Sequence, residues 1–321
     1  MIPYEGYFSN FAGHLRESLA SRVGQQEAQV TVVAPPYYAC WERTKKRPSK
    51  RQLVWMMVCN LGVFFWRFVL HRKRHDAVVL ASHPVAIPFL LLLKVCPFMN
   101  IRGKVVVMSF FLHGLGERKS VKKVLRFLLK GQRVRMVAQS DYEVDYYSKL
   151  MGADRVVQFP YCQHEVSISE DYGRGREYIF AGGHTNRDYQ CLLEAARTVD
   201  HEFLVICSSL KHSSLLEQRP ANVRVLMDTS HAEFHGYLKN SKLVVIPLKD
   251  RMGSSGQMVV LAAMQFGKAI VYTDFGSVSQ YFEDGVSGLG YRMNDPVDLA
   301  GKIGRLLADP ELLNRLGDRK S

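Results

Sequence analysis

Residues 242–273 read KLVVIPLKDRMGSSGQMVVLAAMQFGKAIVYT. An apolar run, KLVVIP, leads into a glycine-serine turn, a helical pattern follows over 257–266, and a second apolar run, KAIVYT, closes the stretch. Neither run alternates apolar with polar residues, so each reads as a strand buried on both faces. Strand, helix and strand in this order, with unbroken apolar runs, are the pattern of a parallel sheet covered by helices.

The same pattern extends in both directions. Upstream, residues 178–183 (YIFAGG) form a strand ending in a glycine pair, 188–199 a helix, 202–208 (EFLVICS) and 223–227 (VRVLM) strands, and 232–240 a helix. Downstream, helices are expected over 296–307 and 310–316, each opened by a proline, which suits a first helical turn. The first half repeats the scheme less cleanly. Its expected strands are 30–34 (VTVVA), 77–81 (AVVLA), 104–108 (KVVVM), 134–138 (VRMVA) and 155–159 (RVVQF), with helices between. Pro160, Gly173 and Gly175 interrupt any pattern near 160–177. Two doubly wound α/β domains are expected, residues 1–165 and 166–321. A length of 321 residues suits two domains of ordinary size. Ligands bind such sheets at the carboxyl ends of strands, and a cleft between two domains is the natural site.

Apolar residues make up 47% of the chain and charged residues 23%, which excludes a disordered chain, a collagen-like repeat or a disulfide scaffold. The net charge of +13 is unevenly spread. Residues 1–160 hold 25 Lys and Arg against 10 Asp and Glu, whereas 161–321 hold 18 against 20. A basic half implies an anionic partner surface. Residues 53–70 (LVWMMVCNLGVFFWRFVL) lie between Arg43–Arg51 and Arg72–Arg74, both rich in basic residues. Broken by Asn60, Gly62 and Arg67, they are too short for the ~20 residues of a membrane span and resemble a helix lying in the interface. A core helix with solvated basic ends is the other reading. Arg118, Lys119, Lys122, Lys123, Arg126 and Lys130 share an amphipathic helix with Val121, Val124, Leu125, Leu128 and Leu129, which favours an anionic membrane surface. No nucleic-acid motif is readable, so nucleic acid is not expected as a partner. The six cysteines show neither C-x-x-C nor metal-ligand spacing, so reduced thiols and no metal site are expected. The N-terminus has no basic-then-apolar leader pattern.

Two turns carry candidate chemistry. Ala181-Gly182-Gly183-His184-Thr185-Asn186-Arg187-Asp188 lies between a strand and a helix. Its glycines let the backbone approach a ligand, the helix start supplies N–H groups and positive potential, and Arg187 adds a forked cation: a cradle for a diphosphate, or a plain tight turn. Gly253-Ser254-Ser255-Gly256-Gln257 opens the helix over 257–266. Ser254 or Ser255 can cap that helix, or the hydroxyls and N–H groups can bind phosphate or ribose. Asp141, Glu143 and Asp145 fall where they favour the positive end of a helix. Glu283 and Asp284, before Gly285, read as turn residues.

Residues 178–317 resemble the nucleotide-sugar-binding domain of GT-B glycosyltransferases, especially family 4. The matching stretches are FAGGHTNRDYQCLLEAA, VIPLKD, GSSGQMVVLAAMQFGKAIVYTD, YFEDGVSGLGY and DPVDLAGKIGRLLADPELLNRLG. Residues 263–271 (AMQFGKAIV) match the family's A-M-x-x-G-x-P-V-V, with Ala269 in place of the usual proline. AGHLRESLA, VTVVAPP and VAQSDYEVDYY follow the family's N-terminal outline more loosely. The resemblance implies two Rossmann-like domains facing a central cleft. The implied activity is metal-independent transfer of a sugar from a nucleotide-diphosphate sugar, with no cofactor, to a lipid-linked or polysaccharide acceptor in cell-surface or exopolysaccharide synthesis. The cytoplasmic face of the cell membrane is the expected place.

Gly182, Gly183 and Arg187 match the family's diphosphate-gripping turn, and Ser254, Ser255, Gly256 and Gln257 its loop against sugar and phosphates. Two glutamates usual in the family are replaced by Ser254 and Ala262. A non-catalytic GT-B binding protein is therefore the rival reading, and a nucleotide-sugar epimerase on the same fold a second. In the first half, His113 follows the strand over 104–108 and is the candidate catalytic base or sugar contact. Gly6 and Tyr7 lie in the first glycine-containing loop, near the expected acceptor. Only Met1-Ile2-Pro3 precede the turn-rich run Tyr4–Gly13 that holds this loop, so an opening strand is expected upstream of Met1.

Overall fold

A computed structural model describes residue 66 and residues 77–80, 83–95, 104–108, 116–130, 134–161, 165–168, 172–175, 177–212, 214, 217, 219–250 and 255–318. The chain divides into two compact units, Met1–Lys104 and Val105–Ser321. The boundary expected at 165/166 falls inside the second unit, between its two sets of strands. The expected strand at 30–34, the glycine loop near 6–13 and the segment 53–70, Trp66 apart, lie outside the described residues.

The first unit contributes β1 (Ala77–Leu80) and α1 (His83–Val95). Ala86, Phe89 and Leu90 form the buried stripe of α1, while Leu91 and Val95 face outward.

In the second unit, β2 (Lys104–Met108), α2 (Lys119–Leu129), β3 (Val134–Ala138), α3 (Asp141–Met151) and β4 (Val156–Gln158) come first. β2, β3 and β4 pair in that order and in parallel. Val134, Met136 and Ala138 are the buried alternate residues of β3. β4 is shorter than its sequence promises, because Ala153–Arg155 winds into a 3-10 turn ahead of it. Asp141 and Glu143 stand in the first turn of α3, as expected. Ser140 caps that helix by accepting from the N–H of Glu143, and Glu143 in turn accepts the N–H of Gln139 at 2.8 Å.

The rest of the unit is β5 (Ile179–Gly182), α4 (Tyr189–Ala196), β6 (Phe203–Cys207), β7 (Val223–Met227), α5 (His231–Lys239), β8 (Leu243–Ile246), α6 (Gln257–Gln265), β9 (Ile270–Thr273), α7 (Gly276–Ser279), β10 (Leu289–Tyr291), α8 (Pro296–Ala308) and α9 (Pro310–Asp318). The strands form one parallel sheet in the order β10-β9-β8-β5-β6-β7. Successive strand residues feed opposite cores. Ile179, Phe203, Val205, Val245 and Val271 pack with Leu192 of α4 and Leu299 and Ile303 of α8. Phe180, Leu204, Ile206, Val244 and Ile270 pack on the other face with Leu238 of α5 and Val259 and Val260 of α6. This two-sided burial is why the strands read as unbroken apolar runs. The α/β class and the two parallel sheets expected from the sequence are present.

β10 and the short helix α7 are elements that sequence patterning does not reveal. Gly288 and Gly290 lower the strand propensity of β10, yet a Cβ on Gly290 would lie 3.1 Å from Cβ of Asp274. The glycines therefore serve the close approach of β10 to the turn after β9.

Candidate functional site

The chain runs β5, β6, β7 to one side of the second sheet, then crosses to β8, β9, β10 on the other. The reversal falls between β5 and β8. In open parallel sheets the crevice at such a switch point, outside the strand carboxyl ends, takes the ligand. Here those ends carry the Gly182–Asp188 turn and residues 247–250.

These two segments are laced together. Asp188 N donates to Pro247 O at 3.0 Å and Lys249 N to Asn186 O at 3.2 Å. The Asn186 side chain donates to Asp250 O at 2.7 Å. Asn186 holds a left-handed φ of 55°, which its short polar side chain tolerates. Asp188 caps α4 by accepting from Cys191 N at 3.1 Å. Tyr189 Oη donates to Gly183 O at 2.8 Å, pinning the turn from below.

Arg187 is the charged group at the centre of this turn. It is only 8% exposed. Its Nε donates to Gly182 O at 2.9 Å and its Nη1 to Thr185 O at 2.8 Å. Among the described residues no carboxylate pairs with it. Burial pushes its pKa below the usual arginine value. Gly183 lies directly against the guanidinium: a Cβ there would sit 2.4 Å from Nη2, and its φ is +130°. Gly182 is equally confined, with Phe234 of α5 2.5 Å from where a Cβ would stand. The turn is thus a backbone surface over a buried cation that has no anionic partner among the described residues.

The second expected turn is described from Ser255 onward. Ser255 N donates to Ser277 Oγ at 3.0 Å, and Ser277 Oγ donates back to Ser255 O at 2.6 Å. Ser255 Oγ is buried and makes no hydrogen bond among the described residues. Gly256 is the N-cap of α6 in a left-handed conformation, φ 90°. The first N–H groups of a helix lack acceptors one turn back, so Ser255 Oγ and the opening of α6 together present polar groups at this turn.

Gln257, which the sequence offers as a contact to the sugar donor, is also engaged within the protein. Its side-chain nitrogen donates to Gln139 O at 3.0 Å, and Gln280 Nε2 donates to the same oxygen at 2.8 Å. Asp141 N returns a bond to Gln280 Oε1 at 3.1 Å. The carboxyl end of β3 is thereby clasped to the start of α6 and the end of α7. The double variant Gln257→Ala/Gln280→Ala is expected to lower stability by about 2 kcal/mol, as one buried and one half-buried side-chain hydrogen bond to the same carbonyl are lost. Urea denaturation checks this, and an unchanged midpoint would show that the clasp carries no stability.

His113, Ser254, Gly6 and Tyr7 lie outside the described residues. Gln139, Gln280 and Ser277 come from tertiary contact, and no local motif signals them. Asp228, at the end of β7, was also missed. Its carboxylate accepts from Ser209 N at 3.3 Å and from the Ser209 hydroxyl, which hold its pKa below the usual range. Its φ of 54° marks a tight turn at a strand end. Asp284 serves the turn expected of it, accepting Gly290 N at 2.7 Å.

Residues 175–309 match the family model described as glycosyl transferases group 1. An uncharacterized glycosyltransferase of Methanocaldococcus jannaschii is 25% identical over 190 residues, 57% of this chain and 52% of that protein. The chain thus spans about half the length of the curated relative it matches. Among solved structures, HepE of Anabaena in complex with UDP and glucose is similar with a TM-score of 0.65 and 13% identity, over 85% of this chain and 77% of that one. Sucrose-phosphate synthase of Thermosynechococcus elongatus gives 0.66 and 13%, over 86% and 74%. Residues 175–309 therefore carry the group 1 glycosyl transferase pattern, and the chain has the fold of the GT-B glycosyltransferases.

Proposed function

We propose that this protein transfers a sugar from a nucleotide-diphosphate sugar to a glycan or lipid-linked acceptor. The observation that carries the reading is Arg187: a buried guanidinium, without a carboxylate among the described residues, beneath a glycine turn at the switch point of a parallel sheet. A diphosphate supplies the missing negative charge. HepE, solved with UDP and with glucose, shares this fold and supports the donor class.

As the bond from the sugar's anomeric carbon to the diphosphate oxygen breaks, negative charge grows on the departing nucleoside diphosphate. Arg187 and the N–H groups at the start of α6 are fixed in place to stabilise that charge, so the step needs no metal in this reading. Ser255 Oγ offers a further polar contact. His113, in the first half, remains the proposed base or sugar contact, with Gly6 and Tyr7 on the acceptor side. The basic first half fits an acceptor held at the inner face of the cell membrane. Among the described residues, no helix is long and apolar enough to cross a membrane.

One observation favours the non-catalytic rival. Ala262, where the resemblance implies a glutamate, is fully buried and brings no carboxylate to the site. A single experiment separates the readings. The protein is mixed with a panel of uridine-, guanosine- and adenosine-diphosphate sugars and candidate lipid-linked acceptors, and released nucleoside diphosphate is measured with and without EDTA. Release with one donor, retained in EDTA, is the expected result. Nucleotide binding by calorimetry without release supports the binding protein, and no binding of any nucleotide overturns both readings.

A further inference from the structure

Thr273, the last residue of β9, is fully buried and carries a hydroxyl that an apolar core does not need. Its surroundings show what the oxygen does. In the β8–β9 ladder Val244 N donates to Ala269 O at 3.0 Å. Alternate residues repeat that bond along a parallel pair, so Leu248 N, four residues on, falls level with Thr273. The Thr273 carbonyl is already taken there, by Phe275 N at 2.7 Å. The side chain stands in for it: Thr273 Oγ1 accepts the Leu248 N–H at 2.8 Å. The hydroxyl's own hydrogen faces Ile246 O at 3.2 Å and Tyr291 Oη at 3.0 Å. Leu248 is itself buried, so loss of that oxygen would leave its N–H without an acceptor in a site closed to water.

Leu248 stands directly across from Arg187. The two residues form an antiparallel bridge, closed on one side by the bond from Asp188 N to Pro247 O and on the other by that from Lys249 N to Asn186 O. Pro247 has no N–H and cannot tie this segment to the sheet itself. We propose that Thr273 is a positioning residue for Arg187: its hydroxyl fixes Leu248 at the end of the sheet, and Leu248 fixes the main chain from which the guanidinium is aimed. Thr273 is too deeply buried to reach a ligand, so it acts only through this route. A valine would fill nearly the same space, so packing alone does not call for the oxygen. The assignment rests on the diphosphate reading of Arg187 and adds the group that sets its place.

The test is calorimetric titration of the full chain with UDP and GDP. Thr273→Val should weaken binding of the nucleotide that the wild type takes by about five- to tenfold. Thr273→Ser, which keeps the oxygen, should restore most of that loss. In the Arg187→Ala background, Thr273→Val should change affinity by about twofold at most, because the group it positions is gone. Tyr291→Phe is the control: it removes a buried hydroxyl beside Thr273 but leaves the Leu248 bond, so it should keep its affinity. Should Thr273→Val not fold, Thr273→Cys, whose sulfur is a weak acceptor, takes its place in the same comparison. Unchanged affinity in Thr273→Val, a loss that serine does not rescue, an equal loss in Tyr291→Phe, or a loss that adds in full to that of Arg187→Ala would each overturn the positioning role while leaving the diphosphate reading in place. If Arg187→Ala binds as the wild type does, or the wild type binds neither nucleotide, the diphosphate reading fails and the positioning role with it.

Discussion

Replacing Arg187 by alanine is expected to weaken nucleoside-diphosphate binding by ten- to a hundredfold, the loss of about 1.5–3 kcal/mol from a charge-assisted contact. The size follows from the side chain's surroundings. Water is largely excluded from it, and its two bonds to Gly182 O and Thr185 O fix the guanidinium plane before any ligand arrives. A ligand therefore meets a charge that is already oriented and weakly screened. Arg187→Lys should recover little of the loss. An ammonium on a flexible stem cannot keep both carbonyl bonds and still present a forked donor. Calorimetric titration with UDP and GDP is the measurement. An unchanged dissociation constant in Arg187→Ala would remove the diphosphate assignment, whatever the stability of the variant.

Gly183→Ala is expected to be the more damaging single methyl group. At φ +130° any side chain is strained, and this one would also collide with the guanidinium 2.4 Å away. Strain of roughly 1–3 kcal/mol from the backbone adds to displacement of Arg187, so stability and nucleotide affinity should fall together. Gly285→Ala is the control. It has a comparable positive φ of +75° but nothing within 4 Å of the new methyl, so it should show strain alone and normal nucleotide binding. If the two variants lose equal stability and both keep full affinity, Gly183 is only a turn residue.

The second sheet was legible because its strands are covered on both faces. KLVVIP and KAIVYT have no polar alternation to confuse the pattern, and β8 and β9 appear where those runs lie. β10 was hidden because its glycine, Gly290, answers to Asp274 in the turn after β9 rather than to a local pattern. The glycine turn and Arg187 were legible as a strand-to-helix junction, since local order alone places them at a strand end. That Arg187 is buried, with no carboxylate beside it among the described residues, could not be read, because it depends on Tyr189, Gly183 and the lacing to residues 247–250. Gln257 shows the opposite case. Its position at a helix start suggested a ligand contact, and no local pattern announces the bond it makes to a carbonyl 118 residues away in sequence.

That carbonyl has its own implication for how the protein tolerates change. A main-chain oxygen survives every substitution at its own position, so no replacement at 139 deletes the acceptor. The joint can be loosened only from the glutamine side. Since Gln257 and Gln280 converge on the one oxygen, either amide holds the joint when the other is lost. Single replacements at 257 or 280 should therefore pass with little effect in a mutational scan, while the pair should not. Redundancy of this kind lets α6 and α7 vary one at a time over generations without releasing the end of β3.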